Sequence, residues 1–173
     1  MTGDELVSIV NEHDRVSGQA TVKECLEKGL LHRAVAVLVM RSNGQYLLQQ
    51  RSKSDVWHPG LWTISSTGHV KAGESYEAAA ARELLEELGL SAKLVQVRKC
   101  LLPPIQSGNL TEKEWVSFYV ARSDLPWRSD PEEVEAVKEV TEPQLRRMMG
   151  GDTMTPDAVI LLTDYLKRQS APK

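Results

Sequence analysis

Apolar positions along the 173-residue chain come in short runs separated by turn-forming polar clusters. Leu6 to Val10 is a short apolar run, Asn11 to Arg15 is turn-forming, and Val16 to Ala20 returns as a second strand. Thr21 is placed to cap a helix through Lys28, which Gly29 stops. Arg33 to Met40 is nearly all apolar and valine-rich, the pattern of a strand buried on both faces. Ser42-Asn43-Gly44 turns the chain into Tyr46 to Arg51, which completes a hairpin. Lys53 to Gly60 is polar with a Pro-Gly pair and reads as a loop, Trp62 to Ile64 as a short strand, and Gly68 to Gly73 again as a loop. Ser75 starts a helix that runs to about Leu88 and closes at Gly89. Leu94 to Leu101, Trp115 to Arg122 and Glu135 to Val140 are strands, with Pro103 to Thr111 a connecting loop. Pro143 to Met149 and Pro156 to Gln169 are helices, each with proline near its start, where the missing N–H costs little. Interleaved strands and helices predict a layered α/β or α+β domain. Residues 1–30 form a hairpin-and-helix extension on a main domain over residues 31–169, and residues 170–173 are a frayed tail.

Composition narrows the function classes. The formal net charge of −3 lacks the basic surplus of a nucleic-acid binder. The longest apolar run, Ala34 to Met40, falls far short of the ~20 residues of a membrane span. The first thirty residues show no signal-peptide pattern, and the two cysteines, Cys25 and Cys100, make no disulfide framework. The expectation is a cytoplasmic protein with reduced thiols that engages neither membrane nor nucleic-acid polymer.

The informative segment is GHVKAGESYEAAAARELLEELGL, Gly68 to Leu90. On a helix, Glu83, Glu86 and Glu87 fall within one arc of roughly 100°, with Ala81, Leu84, Leu85 and Leu88 opposite. Like charges at these spacings repel, and the C-terminal end of a helix disfavours anions, so local stability does not explain the placement. A hard divalent cation does, because Mg²⁺ or Mn²⁺ takes oxygen ligands and keeps sites for phosphate.

In full, the segment runs Gly68, five residues, Glu74, seven residues, Arg82-Glu83-Leu84, one residue, Glu86-Glu87, one residue, Gly89-Leu90. It matches the signature of the Nudix hydrolase family at every fixed position. The resemblance implies an α/β/α sandwich with a mixed sheet and metal-dependent cleavage of a diphosphate linkage by water. It implies that Glu83, Glu86 and Glu87 are metal ligands, that Gly68 lets the backbone approach the metal and offers its carbonyl, that Glu74 pairs with Arg82, and that Gly89 stops the helix. The cofactor expected is Mg²⁺ or Mn²⁺, with one ion on Glu83 and Glu87 and Glu86 shared or holding a second. Glu86, Glu87 and Glu114 are the catalytic candidates; Glu86, Glu112 and Glu114 all qualify as the base, and the motif does not choose among them.

Outside the motif, Leu31-His32, Gln50-Arg51, Pro59-Gly60-Leu61-Trp62, Gly68-His69 and Glu112-x-Glu114 resemble the branch of the family related to type I isopentenyl diphosphate isomerase. In those isomerases the positions of His32, His69, Glu112 and Glu114 bind a metal beside a catalytic cysteine. Here Thr67 stands at the cysteine position and Cys25 at that of a further metal histidine. A threonine hydroxyl is far too weak an acid to replace the thiol. The expected activity is therefore diphosphate hydrolysis, of a nucleoside diphosphate derivative or related organic diphosphate. Isomerisation and non-catalytic nucleotide binding are the alternatives. Arg51 and Lys53 are expected to touch phosphate, with His69 and Glu112 against substrate. In the acidic stretch Asp130 to Glu139, a solvated edge otherwise, Glu132 or Glu133 is the residue to look for near the metal. The partner expected is a small-molecule diphosphate, and a homodimer is compatible with the family.

Overall fold

The computed structural model describes residues 3–170. It opens with the expected hairpin, β1 (Leu6–Val10) and β2 (Val16–Thr21), and helix α1 (Val22–Lys28). Thr21 caps α1 in a reciprocal box with Glu24, which satisfies two otherwise unpaired N–H groups. The long strand β3 (His32–Met40) follows, and β4 (Tyr46–Arg51) returns from it. β5 (Trp62–Ile64) pairs with β4. β6 (Ser66–His69) pairs antiparallel with β3, Ala34 opposite His69.

Helix α2 (Tyr76–Leu88) leads into β7 (Leu94–Leu101), then a small hairpin of β8 (Ile105–Ser107) and β9 (Leu110–Glu112), and the long strand β10 (Glu114–Arg122). β11 (Val134–Val140), α3 (Glu142–Met149) and α4 (Pro156–Ser170) complete the described chain. The nine-stranded sheet is mixed: β10 runs parallel to β3, and the other ladders are antiparallel.

Alternation along β3 divides the core. Val35, Val37 and Val39 pack with Ala80, Leu84 and Leu88 of α2, whereas Ala34, Ala36 and Leu38 pack with α3 and α4 through Leu145, Leu161 and Leu162. Helices therefore cover both faces, and the α/β/α layering of an α+β protein is observed. Three readings need correction. Gly68 and His69 lie in β6 rather than in a loop, since their ladder is to β3 and leaves no local turn signature. The segment 103–111 contains the β8–β9 hairpin, whose three-residue strands are too short to show alternation. Ser170, assigned to the tail, ends α4; residues 171–173 of that expected tail lie outside the described residues.

Candidate active site

Helix α2 begins where its sequence directs. Ser75 accepts the Ala78 N–H at 3.2 Å, and Gly89 ends the helix with φ 63°, its N–H bonded into the last turn. Its buried stripe, however, is not the expected one. Ala79, Ala80, Leu84 and Leu88 are buried together with Glu83 and Glu87, while Ala81 and Leu85 face solvent, Leu85 being 56% exposed. The helix thus turns two of its three glutamates toward the sheet and leaves Glu86 on the rim.

Arg82 organises the start of this site. It donates to both carboxylate oxygens of Glu74, each at 2.9 Å, so the predicted brace across the loop–helix junction is present. The same guanidinium donates to Glu83 Oε1 at 2.7 Å, Glu86 Oε2 at 3.1 Å and the His69 carbonyl at 3.0 Å. Burial would raise Glu74, but the Arg82 hydrogen bonds outweigh it and hold its carboxyl below the usual range.

Glu83 lies directly against β6 at Gly68, where a Cβ would come within 2.2 Å of its carboxylate. No other residue leaves this space, so glycine is required by close approach. Glu87 is held beside it: its Oε2 accepts from Gln49 Nε2 at 2.9 Å and from the Thr67 N–H at 3.1 Å. Burial pushes Glu83 up to about 7 against the pull of Arg82. Burial also takes Glu87 to about 8, helped by the charges of Glu83 and Glu133. Carboxylate oxygens of Glu83, Glu87 and Glu133 all lie within 4.8 Å of one another. Arg82 is shared among three glutamates, so its single charge leaves this side acidic.

On the other side of β6, the Thr67 and His69 side chains face a cavity of about 270 Å³. Apolar residues such as Val22, Leu26, Trp57 and Leu161 line much of it, and Arg51, Glu112, Glu114 and Asp157 supply its polar wall. Nitrogens of His32 and His69 and a carboxylate oxygen of Glu114 come within 4.8 Å of one another. His32 and His69 Nε2 are each 3.6 Å from Glu114 Oε1. His32 Nδ1 lies 2.9 Å from the Leu30 carbonyl and donates to it, which turns the Nε2 lone pair inward. His32 Nε2, His69 Nδ1 and Thr67 Oγ1 are buried without a hydrogen-bond partner. Burial lowers both histidines, and the neighbouring His32 and Arg51 charges lower His69 further. Burial raises Glu112 and Glu114. Neutral imidazoles with inward lone pairs and desolvated carboxylates form a donor set a metal ion would complete.

The structure gathers most of the expected residues, though not into one cluster. Arg51 lines the cavity and is fixed there, donating to the Trp57 carbonyl at 2.8 Å and Asp55 at 2.6 Å. Lys53 does not join it; its ammonium is on the surface, 3.0 Å from Glu135. Glu132 is exposed, and Glu133 is the acidic-stretch residue beside Glu87. Gln49 escapes sequence reading, because a glutamine in a strand signals nothing until its amide is seen on Glu87. Trp57 packs in the N-terminal core, and Trp62 lies under the Lys138 ammonium at 3.8 Å. Both cysteines are free, and Cys25 is fully buried. Among the described residues, no helix is long and apolar enough to cross a membrane.

Comparison with known proteins places this geometry in context. An isopentenyl-diphosphate Delta-isomerase of Photorhabdus laumondii is 36% identical over 146 residues, covering 84% of this chain and 82% of the relative. An uncharacterised Nudix hydrolase of Pseudomonas aeruginosa is 34% identical over 134 residues, covering 78% and 77%. A Deinococcus radiodurans crystal structure superposes with a TM-score of 0.77 at 27% identity, over 92% of this chain and 98% of that one. The Nudix domain of a Shewanella oneidensis protein, solved with ADP-ribose, gives 0.63 at 19% identity over 81% and 88%. Residues 30–157, from the turn after α1 to the start of α4, match the Nudix domain, and the chain belongs to the Nudix family.

Proposed function

We propose that the protein is a metal-dependent hydrolase that cleaves a small organic diphosphate by attack of water on phosphorus. The observation that carries this reading is the buried pair Glu83 and Glu87, Glu83 packed on Gly68, with the one guanidinium that reaches Glu83 among the described residues, that of Arg82, shared with Glu74 and Glu86. The oxygen-only donor set fits Mg²⁺ or Mn²⁺, which Glu83 and Glu87 would hold, with the Gly68 carbonyl as the expected backbone donor. When bound, such an ion supplies Lewis-acid stabilisation of charge on the phosphate oxygens. Arg51 presents fixed positive charge to phosphate from the cavity wall, its guanidinium oriented by Asp55 and the Trp57 carbonyl. Glu86, solvent-facing in the same turn of α2, orients the attacking water. His69 and Glu112, on the cavity wall, contact the substrate, and Glu114 beside them is the further candidate base. Cysteines that form no disulfide support a cytoplasmic setting.

A second reading, isomerisation of isopentenyl diphosphate, is favoured by the names of several relatives and by the His32–His69–Glu114 cluster. Against it, Thr67 presents a hydroxyl to the cavity, and a hydroxyl is not an acid able to protonate an alkene at neutral pH. One assay separates the two. Incubation with Mg²⁺ and a panel of nucleoside diphosphate derivatives plus isopentenyl diphosphate is expected to cleave the P–O–P linkage, giving a nucleoside monophosphate and the second phosphorylated fragment, or inorganic phosphate from isopentenyl diphosphate, and Glu87→Gln is expected to reduce the rate at least ~100-fold. Rapid conversion of isopentenyl to dimethylallyl diphosphate without phosphate release would overturn the hydrolase reading.

A further inference from the structure

The cavity on the Thr67 and His69 side of β6 joins two kinds of wall. Much of it is apolar, with Val22, Leu26, Trp57, Val116 and Leu161 facing the space. Set into this surface are the carboxylates of Glu112 and Glu114, 7% and 8% exposed, and of Asp157, half-buried in the first turn of α4. Among the described lining residues, the lysine and arginine side chains are those of Lys23 and Arg51. Arg51 already carries Asp55 at 2.6 Å, and Lys23 is exposed on α1. Glu112, Glu114 and Asp157 thus share a largely apolar space that holds no matching positive charge of its own. We propose that the organic group of the diphosphate substrate is itself a compact cation, a nitrogen wrapped in carbon such as a quaternary ammonium, held against the Trp57 ring by Glu112 and Asp157. This rests on the hydrolase reading and names the class of its substrate.

Each simpler occupant satisfies one wall and not the other. A metal ion alone would fill a small part of the 270 Å³ and leave the apolar surface without a partner. The His32–His69–Glu114 set would also take up only one of the carboxylates, since Glu112 and Asp157 lie outside it. A neutral alkyl, sugar or base would cover the apolar surface but bury those two carboxylates without a countercharge. A carbon-wrapped cation does both, because its methyl groups pack on Val22, Leu26 and Leu161 while its charge faces the carboxylates and the indole ring. The space is also not closed by its own side chains. His69, 4% exposed, leaves Nδ1 without a hydrogen-bond partner there, and Thr67 leaves its hydroxyl. Arg51 borders both this cavity and the recess beside Glu87. A diphosphate on its guanidinium therefore has one end toward the α2 glutamates and its ester group toward Glu112 and Asp157.

The test compares two ester groups of the same shape that differ in one atom, nitrogen against carbon: 2-(trimethylammonio)ethyl and 3,3-dimethylbutyl. Binding is measured by calorimetry on the full-length protein with Mg²⁺, using methylenebisphosphonate analogues whose P–C–P link water does not cleave. The cationic analogue is expected to bind about 10–100-fold more tightly than the neutral one. Glu112→Gln and Asp157→Asn are each expected to shrink that ratio by about 3–10-fold, and Asp157→Glu, which keeps the charge, to restore most of it. Equal affinity for the two analogues, or no binding of either, would overturn the proposal. So would a ratio left unchanged in both Glu112→Gln and Asp157→Asn. Hydrolysis of the two corresponding diphosphates, each giving the ester monophosphate and inorganic phosphate, reads the other level. Preferential binding of the cation with neither diphosphate cleaved would sink the hydrolase reading and leave the cation pocket standing. Cleavage of both at equal kcat/KM, with equal binding, would do the reverse.

Discussion

The two faces of β6 carry the same sequence segment into different chemistry. Toward α2, residue 68 is a bare backbone position under Glu83, and the donors are carboxylate oxygens alone. Toward the cavity, residues 67 and 69 place a hydroxyl and an imidazole, and the donors are two histidine nitrogens with one carboxylate. Hard oxygen donors favour Mg²⁺ or Mn²⁺, whereas mixed nitrogen and oxygen donors bind transition metals more tightly. Strand alternation is what allows three consecutive residues to serve both. The lesson is that adjacency in sequence does not imply membership of one site: Gly68 and His69 are neighbours that face opposite ways.

The strongest way to break the comparison is Gly68→Ala. The added Cβ collides with the Glu83 carboxylate, so turnover should fall at least ~100-fold and the fold should lose about 1–3 kcal/mol. Both are read from steady-state assays and denaturant unfolding, and wild-type Mn²⁺ binding in this variant would show the close approach to be unimportant. A narrower change is His69→Gln. It is expected to lower Zn²⁺ or Co²⁺ affinity on the cavity side about 10–100-fold while leaving Mg²⁺ on the α2 side within a few-fold. Competition titrations monitored by metal analysis check this, and equal loss of both would mean that the two clusters behave as one.

Glu74→Gln probes the brace common to both faces, since Arg82 also holds the His69 carbonyl. Glu74 has a depressed carboxyl in the folded state, so its stabilisation is present above its ordinary value of 4.5 and is lost as pH falls through the folded value. The variant should be less stable by about 1 kcal/mol at pH 7, and the difference should shrink as the pH falls below 4.5. Unfolding curves across that range measure it; a constant difference at every pH would contradict the ion-pair account.

Much of the frame was legible because it depends on local chemistry. The β3 and β4 hairpin follows from a valine-rich run and an Asn-Gly turn, and α2 follows from its Ser75 cap and Gly89 stop. The partnership of Glu74 and Arg82 came with the resemblance to the Nudix motif, since local chemistry asks only that an arginine among acids find a carboxylate and does not say which. The helix's buried face was misjudged for a physical reason. Hydrophobicity alone ranks Leu85 inside and Glu83 outside, yet the sheet side of α2 must receive the carboxylates, so the stripe rotates toward Glu83 and Glu87. β6 and the β8–β9 hairpin were missed because short strands are defined by their partners rather than by their own pattern.

By itself the amino-acid order determined the Nudix motif, the caps and turns that bound its helix, and the apolar runs that build the sheet. Only the tertiary structure decided which glutamates share a point in space. Glu133 reaches Glu87 through the β4–β11 ladder and hydrogen bonds to the end of α2, and His32 reaches His69 and Glu114 through adjacent strands. Those distances are set by long-range register, a property of strand pairs that no single stretch of sequence contains.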